Sequence, residues 1–301
     1  MRYIFASLFL LVSVQAVTNE TKIYSKGESR YIKTNSWPIS RGQFPNRNNP
    51  NTIKEIKKTY QVPLSPTESS SKNTVELHTA FGVALNGILF DPMAAEFWQG
   101  DRSWQYEAMS SYVSLGLDKN KAHVQPNGTY HYHGMPVGLI KRLKAKQKKR
   151  DMLLIGYAAD GFPIYAPWGY KDPMNRKSKM IKMKPSYTLK KGQRSTGPGG
   201  KYDGRFIKDY SYKKGLGTLD KMNGRFGVTP EYPKGIYHYF ITYKFPFIPR
   251  YFKGTPDQTF RKGPGGAGGR RSDRGGRRGG PGEGRRPPRG EGPPPPHPWE
   301  M

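Results

Sequence analysis

The 301-residue sequence contains no cysteine. Disulfide bridges stabilise many exported domains, and cysteine thiolates bind many structural zinc ions, so this fold has neither kind of crosslink. Stability must come from an apolar core or from metal ligands of another type. Acidic residues are also few, because 22 Asp and Glu stand against 51 Lys and Arg and give a formal net charge of +29. The carboxylates are scattered along the chain, which argues against a calcium site.

The chain also lacks a long apolar run. No stretch approaches the 18 apolar residues of a membrane-spanning helix, so no integral membrane span is expected. A shorter apolar run follows Arg2 and ends in Val14-Gln15-Ala16, which is typical of a signal-peptide cleavage site. Residues 1–16 are therefore predicted to be a secretory signal peptide, with a buried N-terminal helix as the alternative. The mature protein is expected to be secreted or extracellular, or periplasmic if the source is a Gram-negative bacterium.

The last 40 residues have too few apolar side chains to form a core. Residues 262–301 contain 13 Gly and 9 Pro, and they are predicted to be a disordered Gly/Arg/Pro tail. This tail carries nine Lys or Arg against four Asp or Glu, so most of the net charge belongs to residues 1–261. A basic folded body favours an acidic polysaccharide or another anionic extracellular polymer as partner. No specific nucleic-acid-binding motif is present.

The histidines are unevenly distributed along the chain. Three of the six histidines lie within eleven positions, in the sequence HVQPNGTYHYH that begins at His123. His131 and His133 are two positions apart, so in an extended strand both imidazoles project to the same face. The flanking Tyr130 and Tyr132 would then cover the opposite face.

A predicted turn brings the third histidine to this pair. Asn127-Gly128 is a strong hairpin signal, and a chain reversal there returns His123 to the side of His131 and His133. Three imidazoles on neighbouring strands make a candidate transition-metal site, with copper or zinc as the expected ion. The alternatives are a polar face on an edge strand or three separate, half-buried, hydrogen-bonding histidines.

Two further histidines are candidates for the same site. Residues 236–243 predict a β-strand of aromatic and β-branched residues, and its Tyr-His-Tyr around His238 repeats the pattern around His131. If these two strands are neighbours in one sheet, His238 joins the cluster; chance repetition among 20 tyrosines is the alternative. His78 lies on the polar face of a strand predicted at residues 75–80 and is a candidate fourth ligand, or else an ordinary core or surface histidine.

The remaining pattern predicts a mainly β (α+β) fold. Residues 17–73 are polar and partly irregular, and most of this segment is expected to be loop. Residues 74–261 are expected to form one compact antiparallel-sheet domain with a further tight turn at Asn86-Gly87. One short basic helix is predicted after the YHYH strand, at residues 137–150, from its stripe of apolar side chains. A helical turn is expected at residues 94–99.

Asp160 is the one carboxylate singled out for chemistry. It stands in an Asp-Gly pair after the apolar residues 152–157 and is a candidate general base or ligand; a turn-forming residue is the alternative. No GxSxG, HExxH or paired-carboxylate motif is present, so no hydrolase is predicted and the catalytic residues stay unknown.

The predicted helix carries a run of positive charge. Such a run is commonly a solvated helix face, and the sharper interpretation is contact with anionic polymers. The residues concerned are Lys141, Arg142, Lys144, Lys146, Lys148, Lys149 and Arg150. Asn19 and Asn127 lie in Asn-X-Thr sequences, which are N-glycosylation sites if the source is a eukaryote.

Five blocks of the chain together resemble the YHYH-domain family. They are HVQPNGTYHYHGMPVGLI, IGYAADGFPIYAP, GPGGKYDGRFIKDY, MNGRFGVTPEYPKGIYHYF and FPFIPRYFKGTPDQTF, in this order. The resemblance covers about residues 74–260. Members of this family are mostly exported, so the resemblance implies export, but it implies no particular reaction. The motif histidines His123, His131 and His133, which recur in the family, are all present, as is Asp160.

One departure from the family pattern is paired. Family members commonly carry a cysteine before the Asn-Gly at Asn223 and another after the Pro-Arg at Arg250, where this chain has Met222 and Tyr251. The paired loss suggests that the two segments touch, and a Met–aromatic contact is a substitute that would favour their packing.

Two functional hypotheses follow from these patterns. The first is an exported metal-binding domain that holds copper or zinc through its clustered histidines. The second is a non-catalytic extracellular matrix or adhesion protein that binds acidic polymers through its basic face and tail. Whether any reaction is catalysed is left open.

Overall fold

The computed structural model describes residues 17–71 and 73–263. The predicted signal peptide, residues 1–16, and the predicted tail from residue 264 onward lie outside the described residues. Within the described ranges, every helix is too short or too polar to cross a membrane.

Short strands make up most of the regular structure. In chain order they are β1 Thr21–Lys26, β2 Ser29–Thr34, β3 Lys58–Pro63, β4 Asn73–Thr74, β5 Gly82–Ala84, β6 Leu89–Phe90, β7 Met93–Phe97, β8 Gln105–Glu107, β9 Ala122–Val124, β10 Tyr130–Tyr132, β11 Leu154–Ala158, β12 Pro163–Tyr165, β13 Trp168–Tyr170, β14 Met180–Lys182, β15 Tyr187–Leu189, β16 Tyr210–Tyr212, β17 Gly224–Gly227, β18 Ile236–Phe240 and β19 Tyr251–Phe252. One α-helix, α1 Val137–Lys146, follows β10, and three single-turn 3-10 helices lie at Trp98–Gly100, Ile207–Asp209 and Gln258–Phe260. The mainly β prediction is confirmed.

The central layer is an eight-stranded sheet in the order β17-β18-β12-β11-β5-β6-β10-β9. Its pairs are antiparallel except β10 with β6 and β12 with β18, which are parallel. The expected antiparallel sheet is therefore a mixed one. The β5–β6 turn forms at Asn86-Gly87 as predicted, because Gly87 takes a positive φ of 75° and its N–H donates to the Ala84 carbonyl at 2.8 Å.

Most of residues 17–73 are loop and turn, as predicted, but the segment also contains the three strands β1, β2 and β3. β1, β2 and β3 form an antiparallel three-stranded sheet. One side of this sheet is solvated, which explains its polar sequence, and the other side contributes the buried Ile32, Tyr60 and Val62. These side chains belong to the same apolar cluster as the tyrosines of β10 and of β18.

The basic helix is shorter than expected. It ends at Lys146 rather than Arg150, and its apolar stripe packs inward through the buried Leu139 and the partly buried Ile140 and Leu143. Two other local predictions are corrected by the structure. His78 lies in a turn closed by a Thr79 N–H to Glu76 carbonyl bond of 3.0 Å rather than in a strand. Residues 94–97 belong to β7, and the expected helical turn begins only at Trp98.

Candidate metal centre

A hairpin between β9 and β10 positions the motif histidines. The two strands pair antiparallel with His123 directly opposite His131, as the sequence predicts. The Gly128 N–H donates to the Gln125 carbonyl at 2.8 Å, and the Gln125 N–H donates to the Thr129 carbonyl at 3.0 Å. Gly128, with a φ of 91°, supplies the left-handed conformation that closes this loop. The loop thus contains three residues, 126–128, rather than the two of the tightest hairpins.

The three imidazoles meet at their Nε2 atoms. His133 Nε2 lies 3.0 Å from His131 Nε2 and 3.1 Å from His123 Nε2. The ring centroids form a nearly equilateral triangle with sides of 4.6, 4.7 and 4.8 Å, and each pair of rings is inclined by 68–73°. Nitrogens bound tetrahedrally to one zinc ion at about 2.0 Å are about 3.3 Å apart. The two distances from His133 Nε2 are close to this value, and the ligand atoms of the three rings all lie within 4.8 Å of one another.

Backbone carbonyls assign the tautomers of two of these rings. His123 Nδ1 lies 2.9 Å from the Leu115 carbonyl oxygen, and His131 Nδ1 lies 3.2 Å from the Thr129 carbonyl oxygen. A carbonyl oxygen only accepts, so each Nδ1 carries the proton and each Nε2 presents a lone pair. A hydrogen bond from the far nitrogen is the usual way in which proteins orient a metal-binding histidine.

Hydrogen bonds within the trio cannot satisfy all three rings. If His133 carries its proton on Nε2, this N–H can donate to the Nε2 of His123 or to that of His131. The Nε2 lone pair of the remaining ring then faces a donor whose proton is already used. The Nδ1 of His133 is then left as a buried acceptor, and no described residue gives that atom a hydrogen bond. A cation at the meeting point of the Nε2 atoms removes the conflict between the lone pairs.

Burial keeps the three rings neutral. Burial holds the pKa of His131 and His133 well below 6.5, and the other histidines of the trio push in the same direction. Burial also lowers the pKa of His123. Neutral imidazole is the form that binds metal ions, so the lone pairs are available at neutral pH.

A buried ion pair lies beside the trio. The Lys262 ammonium contacts the Asp91 carboxylate, and both side chains are at least nine-tenths buried. The Asp91 charge opposes the effect of burial on the pKa of His123, whereas the Lys262 charge adds to the lowering at His131 and His133. The sequence assigned Lys262 to the tail. It carried no signal for either contact, because the two residues are far apart in the chain.

Two asparagines brace the His123 side of the cluster. Asn49 Nδ2 donates to the Leu115 carbonyl at 3.3 Å and to the Val124 carbonyl at 3.0 Å, and Asn51 Nδ2 donates to the same Val124 carbonyl at 2.8 Å. Both residues lie in a segment that the sequence indicated only as polar loop. Asn49 thus holds the Leu115 carbonyl that orients His123, and both asparagines hold the neighbouring Val124 carbonyl.

The trio opens on one side into a pocket. This cavity, of about 230 Å³, is lined by His123, His131, Lys262, Glu96 and the asparagines described above. Burial raises the pKa of the Glu96 carboxyl. The tyrosines of β10 point to the other face of the sheet, as expected. There the Tyr130 hydroxyl donates to Asp118 at 2.7 Å and the Tyr132 hydroxyl accepts from Asn86 at 3.0 Å.

The comparisons with known proteins agree with this motif. A family model described as YHYH protein matches residues 59–254, a range that includes the hairpin and all eight strands of the central sheet. The chain belongs to the YHYH family. Neither the search of curated proteins nor that of solved structures gave a match.

The second Tyr-His-Tyr strand of this YHYH protein does not join the first. β18 lies in the same sheet as β10, but four strands separate them, so the expectation that they are neighbours is wrong. His238 is fully buried with its Nδ1 2.9 Å from the Ile236 carbonyl and its Nε2 without a partner among the described residues. The close group of candidate ligands contains His123, His131 and His133 and leaves out His238.

His78 and Asp160 also lie outside the trio. His78 is exposed in its turn. Asp160 forms the predicted turn and is 1% exposed, and its Oδ2 accepts hydrogen bonds from the Tyr239 hydroxyl at 2.6 Å and the Gly254 N–H at 2.9 Å. Burial raises the pKa of this carboxyl while the hydrogen bonds oppose the change. The geometry of Asp160 is that of a side chain that ties two loops together.

The basic residues of the helix region are all exposed, as the solvated-face and the anion-contact interpretations both require. They are Lys141, Arg142, Lys144, Lys146, Lys148, Lys149 and Arg150. Arg150 lies over the Trp168 ring, with its guanidinium carbon 5.4 Å from the centroid.

The two candidate glycosylation sites differ in their surroundings. Asn19 is engaged, because its Nδ2 donates to the Trp37 carbonyl at 2.6 Å and to the Asn86 carbonyl at 2.9 Å. Asn127 is exposed on the hairpin loop, where its Oδ1 accepts from the Thr129 N–H at 3.0 Å. Asn127 is the better placed of the two to carry a sugar.

The segments that would hold the family cysteines do approach each other. The Lys221 ammonium lies 4.8 Å from the centroid of the Tyr251 ring, and the adjacent Met222 packs on the main apolar cluster. The paired replacement thus lies where two chain segments meet.

Proposed function

We propose that this protein is an exported YHYH-domain protein that binds one transition-metal ion through His123, His131 and His133. The observation that carries the proposal is the convergence of three Nε2 atoms at one point while two Nδ1 protons are committed to carbonyl oxygens. Imidazole ligands suit copper and zinc, and those two ions are the ones that we propose. Export rests on the pattern of residues 1–16 and on the family resemblance.

Three protein ligands leave further coordination positions open. The pocket of about 230 Å³ lies on the side of His123 and His131, so a water molecule or a small ligand can reach an ion held there. A bound ion would act there as a Lewis acid. The residues of the chain hold the imidazoles neutral and oriented.

Metal analysis of the purified full chain tests the proposal. After reconstitution with zinc or copper and removal of free ions, we expect about one ion per chain, as a single ligand cluster requires. His131→Ala and His133→Ala should each lower the retained metal to a small fraction of that amount. His78→Ala, which changes an exposed histidine outside the trio, is the matched control and should retain the ion. Equal metal retention by all three variants would contradict the proposal.

A second candidate function is adhesion to acidic extracellular polymers. Seven exposed basic residues within residues 141–150 and the net charge of +29 support it. Retention of the full chain on heparin resin should fall steeply as salt rises, because screening weakens contacts between exposed charges. Elution at the same salt concentration as a neutral protein of similar size would remove this candidate.

A further inference from the structure

A groove separates the end of α1 from the β13–β14 hairpin. Its cavity is about 340 Å³. The β13–β14 register pairs Trp168 with Lys182 and Tyr170 with Met180. Side chains two apart on a strand share a face, as do directly paired residues. Trp168 and Met180 therefore form one apolar side of the groove, and Lys182 extends from the same face of the hairpin.

Cations also line this groove. Lys144, Lys149 and Arg150 are exposed lining residues from the end of α1 and the segment that follows. The acidic lining residue, Asp151, is already engaged by the Tyr170 hydroxyl and by the Arg176 guanidinium at 3.1 Å. Its charge is therefore compensated, and the groove presents positive charge to a ligand.

The aromatic side chain gives the groove a second binding element. The Trp168 ring is half-buried, and the Arg150 guanidinium lies above it at 5.4 Å. Arginine recognises planar or tetrahedral oxyanions through its fork of N–H donors. A sugar ring has an apolar C–H face that can stack on an indole, while its sulfate or carboxylate groups reach the cations. The groove thus combines the two contacts that an acidic sugar needs.

A single platform distinguishes a sugar from a nucleic-acid strand. Single-stranded nucleic acids bind along a series of aromatic side chains on which successive bases stack. Within the described part of the chain, Trp168 is the one aromatic residue that lines this groove. One stacked ring flanked by cations is the pattern that a sulfated or uronic-acid saccharide requires.

We infer that the groove between Lys144, Arg150 and Trp168 is a subsite for one acidic sugar ring of a sulfated or carboxylated polysaccharide. This inference rests on the second candidate function above, and it assigns that function to one place on the surface. It is independent of the histidine trio.

Binding of a sulfated heparin hexasaccharide to the full chain tests the subsite. We expect Trp168→Ala and the triple change of Lys144, Lys149 and Arg150 to Gln each to raise the Kd about tenfold, and Trp168→Phe to raise it less because a ring remains. Tryptophan fluorescence should change on binding in the wild type and change much less in Trp168→Ala. Near-UV circular dichroism checks that each variant is folded.

The N-terminal sheet provides a matched control. Lys22, Lys33 and Lys57 line a second cationic pocket, of about 610 Å³, whose lining contains no aromatic residue. Changing these three lysines to Gln removes the same charge and should raise the Kd by no more than about twofold to threefold, as expected for exposed charges.

The outcomes separate the subsite from general adhesion. If both triple variants weaken binding equally and Trp168→Ala has no effect, the subsite is wrong while charge-driven adhesion survives. If the wild type binds no hexasaccharide at low salt, both fail. Binding of single-stranded DNA or of phosphatidylserine vesicles with the same dependence on Trp168 would also overturn the sugar assignment.

Discussion

The proton positions on individual imidazoles decide what the cluster can bind. The carbonyl oxygens of Leu115 and Thr129 accept hydrogen bonds from Nδ1 of His123 and of His131, respectively. Both Nε2 lone pairs therefore point inward. Without those carbonyls, the same three rings could satisfy one another as ordinary hydrogen-bonding histidines. The metal-binding hypothesis therefore depends on two backbone carbonyls, that of Leu115 in the segment before β9 and that of Thr129 in the β9–β10 hairpin.

The isolated His238 provides a pH prediction. Burial lowers its pKa to about 4 from the ordinary value of 6.5. The unfolded chain therefore takes up this proton at a higher pH than the folded chain does. The contribution of His238 to the free energy of unfolding should be fully present above about pH 6.5. It should fall by up to about 3 kcal/mol as the pH decreases to about 4.

The contribution of this residue can be isolated by comparison with His238→Phe, which keeps a ring in the core. The difference in unfolding free energy between the wild type and the variant, measured by urea titration from pH 7 to pH 4, should shift against the wild type as the pH falls. A difference that is constant with pH would show that His238 has no part in the acid sensitivity.

The β9–β10 hairpin is the element that the sequence predicted best. Its alternating Tyr-His-Tyr-His pattern and its Asn-Gly pair are local signals, and local signals determine which residues of a hairpin face each other. The position of β18 depends instead on its parallel pairing with β12, which no local pattern reveals. For this reason the sequence predicted that His238 joins the histidine cluster, whereas in the fold His238 lies apart from it.

Gly128 tests the role of this hairpin. Its φ is 91°, and an added Cβ would lie 2.5 Å from the Lys54 side chain. Gly128→Ala should cost about 1–2 kcal/mol of stability, the strain of a left-handed L-residue, and should weaken metal binding because it shifts His123 against His131. Equilibrium dialysis and thermal unfolding measure the two effects.

Gly27 provides the control for this change. It also has a positive φ, of 57°, in the turn between β1 and β2, and an added Cβ there meets no atom within 4 Å. Gly27→Ala should cost similar stability without changing metal affinity. Equal metal affinity in both variants would contradict the role given to the hairpin.

For the molecule as a whole, the N-terminal sheet is part of the main core. The sequence concealed this because β1 is almost entirely exposed and because the few apolar residues of β2 and β3 are surrounded by polar ones. The pocket beside the histidine trio was equally hidden from the sequence. Asn49, Asp91 and Lys262 come from three distant parts of the chain, so only the assembled fold places them beside the trio.

Ile32 tests whether the N-terminal sheet unfolds together with the central sheet. Ile32 is fully buried, so Ile32→Ala should cost about 2–4 kcal/mol, and unfolding should stay a single transition at a lower midpoint. Ile23 is its direct partner on β1 and is 38% exposed, so Ile23→Ala should change stability by less than about 1 kcal/mol. A separate early transition in Ile32→Ala, with the remainder unchanged, would show an independent N-terminal domain.

The local environment of a bound ion tests the central claim most directly. X-ray absorption of the zinc-loaded full chain should show three imidazole nitrogens at about 2.0–2.1 Å, and His133→Ala should lose that set. A zinc environment of oxygen ligands alone, or one that is unchanged in His133→Ala, would contradict the account.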